Sequence, residues 1–167
     1  MRGMRNLPLR TVALAGSLAA AFALAVAHVA ELGFGLVPCA LCLWERWPYR
    51  VALVLGLLAA LLPRHARWLL AVMLAAVLAG VAMAITHVGV EFRWWPSPLP
   101  ECSAPAFGGG SIADRLAAMP ARPAKPCDDP TFLIPGVPLS MAAMNLLFAL
   151  VFSAFLAIFT VRRTLPR

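Results

Sequence analysis

The segment TVALAGSLAAAFALAVAHVA, Thr11–Ala30, runs for 20 residues without an Asp, Glu, Lys or Arg. At about 1.5 Å of rise per residue it makes a helix of about 30 Å, the thickness of a bilayer's hydrocarbon core. Two further runs have the same character. Trp68–Val88 is 21 residues interrupted only by Thr86 and His87. Pro138–Val161 has Asn145 as its only amide, and its proline suits the first position of a helix. A fourth run, Val51–Leu62, has only 12 apolar residues and is too short to span alone. To cross, it must begin near Leu43, which puts Glu45, Arg46, Trp47, Pro48 and Tyr49 in its interfacial turns. An arginine at that depth can snorkel. The spans are expected at about 11–30, 43–62, 68–88 and 138–161.

Composition agrees. Of 167 residues, 62% are hydrophobic and 13% charged, and the mean hydropathy is +0.86. Those proportions exclude an ordinary water-soluble domain and a disordered chain. The expected fold is an all-α membrane protein, a four-transmembrane-helix bundle forming one domain over 1–167.

The net charge of +7 suggests nucleic acid until the charges are placed on this frame. Arg2, Arg5, Arg10, Arg64, Arg67, Arg162, Arg163 and Arg167 share one side of the membrane with no acid among them. The other side holds six cations (Arg46, Arg50, Arg93, Arg115, Arg122, Lys125) against seven acids (Glu31, Glu45, Glu91, Glu101, Asp114, Asp128, Asp129). The positive-inside rule then puts both termini and the 63–67 turn in the cytoplasm, with outer loops at about 31–42 and 89–137. The basic excess is a topology signal, and no nucleic-acid partner is expected. Arg2, Arg5 and Arg10 resemble the basic region of a signal peptide, but a 20-residue apolar run exceeds the usual 7–15. A retained helix is expected.

All four cysteines fall in the outer loops, where thiols pair. Four cysteines allow three connectivities. Pairing neighbours, Cys39–Cys42 and Cys102–Cys127, needs the least chain reorganisation. Cys39-Ala40-Leu41-Cys42 is a C-x-x-C, a tight ring that constrains little chain but can favour a reactive thiolate. A Cys102–Cys127 bridge closes a loop of about 26 residues, worth about 3.5 kcal/mol in the chain-entropy model. The 49-residue loop 89–137 around it holds nine of the fifteen prolines and Gly108-Gly109-Gly110. A structureless loop that long is uncommon unless functional. Within it, Ser111 and Asp114 resemble a helix start, and Ile112, Leu116 and Met119 form one apolar stripe, so a short interfacial amphipathic helix is expected. Structural zinc usually uses two close cysteine pairs. Here only one pair is close, and no metal is expected.

Arg46 lies one helical turn after Cys42, where a fixed cation stabilises a Cys42 thiolate or the anion of a reduced electron acceptor. The bland alternative is a contact with Glu45 or a lipid headgroup. His87 and Glu91, four residues apart, make either a proton relay or an interfacial hydrogen bond, the second being the commoner arrangement. Trp94-Trp95 reads as an aromatic belt, His28 as a packed or interfacial histidine, and Asn145 as an interhelical hydrogen-bonder.

Together these residues resemble the disulfide bond formation protein B (DsbB) family. The likeness is carried by Pro38-Cys39-Ala40-Leu41-Cys42-Leu43-Trp44-Glu45-Arg46-Trp47-Pro48-Tyr49. It continues in Trp95-Pro96-Ser97-Pro98-Leu99-Pro100-Glu101-Cys102 and in the stretch from Cys127 through Phe132-Leu133-Ile134-Pro135-Gly136-Val137-Pro138-Leu139-Ser140. The resemblance implies an inner-membrane enzyme whose active cysteines face the periplasm. A reduced DsbA-type thioredoxin-fold oxidase attacks Cys102 of a Cys102–Cys127 disulfide. The freed Cys127 attacks the first pair at Cys39, and Cys42 is released beside a quinone, ubiquinone or menaquinone, that takes two electrons. Arg46 matches the family's quinone-site arginine; Cys42 and, more weakly, His87 complete the expected cofactor contacts. Two other readings fit less well. A membrane scaffold or transporter with structural disulfides leaves the C-x-x-C unexplained. A vitamin K epoxide reductase-like enzyme carries its C-x-x-C after the wide pair, whereas here it comes first.

Overall fold

The computed structural model describes residues 8–102, 111–113, 125–134 and 136–161. Four long helices account for most of them: α1 (Leu9–Leu32), α2 (Ala40–Leu61), α3 (Ala66–Glu91) and α4 (Met141–Val161). A 3-10 turn, Pro100–Cys102, lies between α3 and α4. α1, α3 and α4 are long and apolar enough to cross a membrane. Only 28–33% of each apolar window is buried within the protein. The rest is apolar surface that water would not tolerate and lipid would, including Leu18, Phe22, Trp68 and Val151. α2 has 22 residues, about 33 Å of helix. It is less apolar because Glu45, Arg46 and Arg50 lie within it.

α2 packs against both α1 and α3, α3 packs against α4, and α1 meets α4 only loosely. Small residues set the close approaches, as expected where lipid offers no hydrophobic drive between helices. A Cβ on Gly56 of α2 would lie 2.3 Å from Ser17 Oγ and 2.9 Å from the Ala13 carbonyl of α1. Ser17 Oγ donates to the Leu53 carbonyl at 3.3 Å across that seam. On the opposite face, Gly80 of α3 makes room for Pro48, which sits inside α2 and has no N–H to continue the ladder. Val12, Leu70, Met73, Val77, Phe152 and Leu156 fill the core.

Two expected boundaries move. α2 starts at Ala40, so the C-x-x-C lies in its cap and first turn, not in a loop before it. α4 starts at Met141, not at Pro138. Ser140 is its cap, its Oγ accepting the Ala143 N–H at 3.1 Å. The chain before it is held extended by a Phe132–Ser140 bridge and by Met141 N–H donating to the Thr131 carbonyl at 2.8 Å. The amphipathic helix expected from Ser111 lies mainly outside the described residues, as do the terminal arginines Arg2, Arg5, Arg162, Arg163 and Arg167; Ile112 and Ala113 are helical and exposed. Trp95 is also more than a belt residue. It donates Nε1–H to the Thr86 carbonyl at 3.0 Å and covers Gly89, where a Cβ would meet its ring at 2.0 Å. Trp94 is exposed.

Candidate functional site

The first turn of α2 and the last turns of α3 lie side by side at the end of the bundle opposite the Leu62–His65 connection. Both cysteine pairs are there. Cys39 caps α2, its sulfur accepting the Cys42 N–H at 3.3 Å, and the two sulfurs are 3.0 Å apart as a dithiol. The disulfide expected between them is therefore open. Cys102 and Cys127 are joined. Cys39, Cys102 and Cys127 belong to one buried cluster with Leu41 and Val90.

His87 of α3 points its Nε2 at Cys39 Sγ, 3.4 Å away. Its Nδ1 lies 3.0 Å from Glu45 Oε1. Glu45 is buried on α2, and its Oε2 accepts from Asn145 Nδ2 of α4 at 3.0 Å. Tyr49 donates its hydroxyl to Asn145 Oδ1 at 2.6 Å, which fixes the amide with its NH₂ toward Glu45. The network assigns the imidazole tautomer too. Nδ1–H donates to the carboxylate, so Nε2 presents its lone pair to the sulfur.

The expected His87–Glu91 pair does not form. Glu91 instead accepts from Ser140 Oγ, because α3 turns His87 toward α2 while Glu91 reaches the start of α4. Arg46 pairs with Glu31 of α1 at 2.7 Å and not with its neighbour Glu45. Arg46 is 8% exposed, and among the described residues its Nε is the buried side-chain polar atom without a hydrogen-bond partner. His28 bonds back to the Leu24 carbonyl of its own helix.

A cavity of about 330 Å³ opens between α1, α2 and α4, where α1 and α4 part. It is mainly apolar, with Cys42, Arg46, Glu45 and Asn145 among its walls. Cys39 is not in its lining. The rings of Phe22 (α1) and Phe148 (α4), 6.2 Å apart, stand at the seam. Cys39 thus shares a buried cluster with the second cysteine pair, while Cys42 packs against that cluster and also lines the cavity.

The sequence matches the family of disulfide bond formation protein DsbB over residues 9–159. The chain belongs to the DsbB family. It is 30% identical to an uncharacterized protein of Rickettsia prowazekii (strain Madrid E) over 138 residues, 81% of this chain and 78% of that one. It is 38% identical to the disulfide bond formation protein B of Actinobacillus pleuropneumoniae serotype 5b (strain L20) over 86 residues, about half of each chain. No solved structure matches it. With three apolar helices of membrane-spanning length, this DsbB-family chain is a multi-pass membrane oxidoreductase that forms disulfides.

The interhelical hydrogen bond expected of Asn145 forms, but sequence reasoning missed Glu45 as the centre of the polar network, Tyr49 as a member of it and Glu31 as the partner of Arg46. A signal was present: a carboxylate three residues after Cys42 in an apolar helix must find partners when buried.

The environment of Cys39 favours its ionised form. The Cys42 thiol, and then the Cys42 backbone N–H, hydrogen-bond to its sulfur and pull its pKa below the ordinary thiol value, against the opposing pull of burial. A stabilised thiolate forms at lower pH. Alkylation of Cys39 in the reduced protein, followed peptide by peptide, should rise with pH through a midpoint below that of an ordinary thiol. Cys42→Ala should move that midpoint upward; an unmoved midpoint would show that Cys42 does not set it.

Proposed function

We propose that this DsbB-family protein is a thiol:quinone oxidoreductase that reoxidises a periplasmic dithiol oxidase of the DsbA type. The observation that carries the reading is the position of the C-x-x-C between the second pair and the cavity: Cys39 shares the buried cluster of Cys102 and Cys127, and Cys42, packed against that cluster, lines the apolar cavity.

A thiolate of the reduced partner attacks Cys102. The Cys102–Cys127 bond breaks, a mixed disulfide forms, and Cys127 leaves as a thiolate. Cys127 then attacks Cys39 of an oxidised Cys39–Cys42 pair, and Cys42 leaves as a thiolate. The partner's second thiolate resolves the mixed disulfide and frees Cys102. Cys102 attacks Cys127 in turn, restoring their bond and releasing Cys39. The partner has lost two electrons and two protons, and Cys39 and Cys42 hold both electrons. His87 Nε2, held by Glu45, is placed to accept the Cys39 proton.

DsbA-type disulfides are strongly oxidising, near about −120 mV, so the final acceptor must be more oxidising still. A quinone, ubiquinone or menaquinone, supplies a two-electron acceptor of that kind when bound. The cavity fits one: its walls are apolar, and Arg46 offers a fixed positive charge. The unpaired Nε–H of Arg46, which costs about 1–3 kcal/mol when buried unmade, is ready for a carbonyl oxygen. Asn145 and Glu45 hold the wall beside Cys42 in place. In this reading α2 is the fourth span. The cysteine end faces the periplasm, and the turn bearing Arg64, with Arg67 just beyond it, faces the cytoplasm, as the charge asymmetry favours.

Arg46→Ala tests the cofactor site. Loss of a hydrogen bond from a charged donor is worth about 1.5–3 kcal/mol, so the apparent KM for quinone should rise about 10- to 100-fold with the protein still folded. An unchanged KM would remove Arg46 from the site.

A further inference from the structure

We propose that the reduced C-x-x-C, together with His87, is a binding site for a thiophilic divalent cation of the zinc class. The site exists only while Cys39 and Cys42 are thiols. This goes beyond the electron-relay reading and does not depend on it.

Three facts carry the inference. Cys39 Sγ, Cys42 Sγ and a His87 ring nitrogen lie within 4.8 Å of one another, the group of soft donors among the described residues close enough to share one ion. Zinc–sulfur bonds of about 2.3 Å at tetrahedral angles put two sulfurs about 3.7 Å apart, and a sulfur and a nitrogen slightly closer. The Cys39–His87 separation of 3.4 Å is already near that value. The sulfurs, at 3.0 Å, need to open by about 0.7 Å, which a rotamer adjustment at half-buried Cys42 supplies. The second fact is the orientation of the imidazole. Metal-bound histidines donate their other N–H to a carboxylate, and Glu45 already holds Nδ1 in that way, with Asn145 holding Glu45. The third is access. Cys42 lines the cavity, which leaves a fourth coordination position for water or a small ligand.

Binding replaces two S–H bonds by two metal–sulfur bonds and releases both protons to solvent. No electron moves. The oxidised pair has no thiolate to offer, so formation of the Cys39–Cys42 disulfide expels the ion. Metal occupancy and disulfide formation at this pair are mutually exclusive.

The test uses the full chain in detergent, reduced anaerobically and freed of reductant, with the metal alone as probe. Zinc competed against a chromophoric chelator should bind at one equivalent to reduced protein and not to oxidised protein. The Cys102→Ser/Cys127→Ser variant should keep that equivalent, and Cys39→Ser/Cys42→Ser should lose it. X-ray absorption on the zinc complex should give sulfur at about 2.3 Å and nitrogen at about 2.0–2.1 Å. Glu45→Gln should weaken binding about 10- to 100-fold through His87. Zinc retained undiminished by Cys39→Ser/Cys42→Ser, a coordination shell without a nitrogen at that distance, or no uptake by reduced wild-type protein would each overturn the proposal. None of these outcomes bears on quinone reduction, so the two readings fail separately.

Discussion

Cys39→Ser should leave a protein that oxidises one equivalent of reduced partner and then stops. The Cys102–Cys127 disulfide is intact in such a variant and can still be attacked once. Cys127 then finds a hydroxyl in place of the sulfur that shares its buried cluster. A hydroxyl forms no disulfide, so electrons cannot reach Cys42 and the cavity it lines. Steady-state turnover should fall to the uncatalysed background, and a stopped reaction should show a burst of one disulfide per enzyme. Cys42→Ser should behave the same way. Cys102→Ser and Cys127→Ser should lose the burst as well, because neither has a disulfide to offer the partner. Near-normal turnover in any of the four would break the relay at that residue.

The second large effect is structural. Gly56→Ala places a methyl group 2.3 Å from Ser17 Oγ and 2.9 Å from the backbone oxygen of Ala13. Ser17 can rotate, at the cost of its bond to Leu53; the Ala13 carbonyl cannot move without α1. Overpacking of this kind costs about 1–3 kcal/mol. It also forces apart the two helices that flank the cavity, so thermal stability in detergent and apparent quinone affinity should fall together. Ser17→Gly added to Gly56→Ala should restore part of the stability. An unchanged unfolding temperature in Gly56→Ala would mean that α1 and α2 do not approach as described.

The sequence carries the helices plainly, because a membrane-length apolar run encodes itself. It also carries the cysteine motif. Less legible is what depends on how one helix slides against another. His87 was read with Glu91, its neighbour at i+4. Its partners are Glu45 and Cys39, 42 and 48 residues away, brought to it by the axial register of α2 and α3. Arg46 likewise reaches back 15 residues to Glu31 on α1. No periodicity within one segment reports such pairings. The start of α4 differs for a local reason: Pro138 is a good first residue, but the hydroxyl of Ser140 makes the better cap and Ser140 is bridged to Phe132. The depth of the C-x-x-C in α2 follows from the same kind of competition, since Cys39 accepts the amide that would otherwise stay unpaired.

The most direct measurement of the central claim is an anaerobic reaction of the purified protein with a reduced thioredoxin-fold partner and a soluble quinone, following quinone absorbance against free thiols. The relay requires one quinone reduced for each disulfide formed in the partner, over many turnovers. Partner oxidation that stops after the protein's own disulfide is spent, with the quinone unreduced, would contradict it.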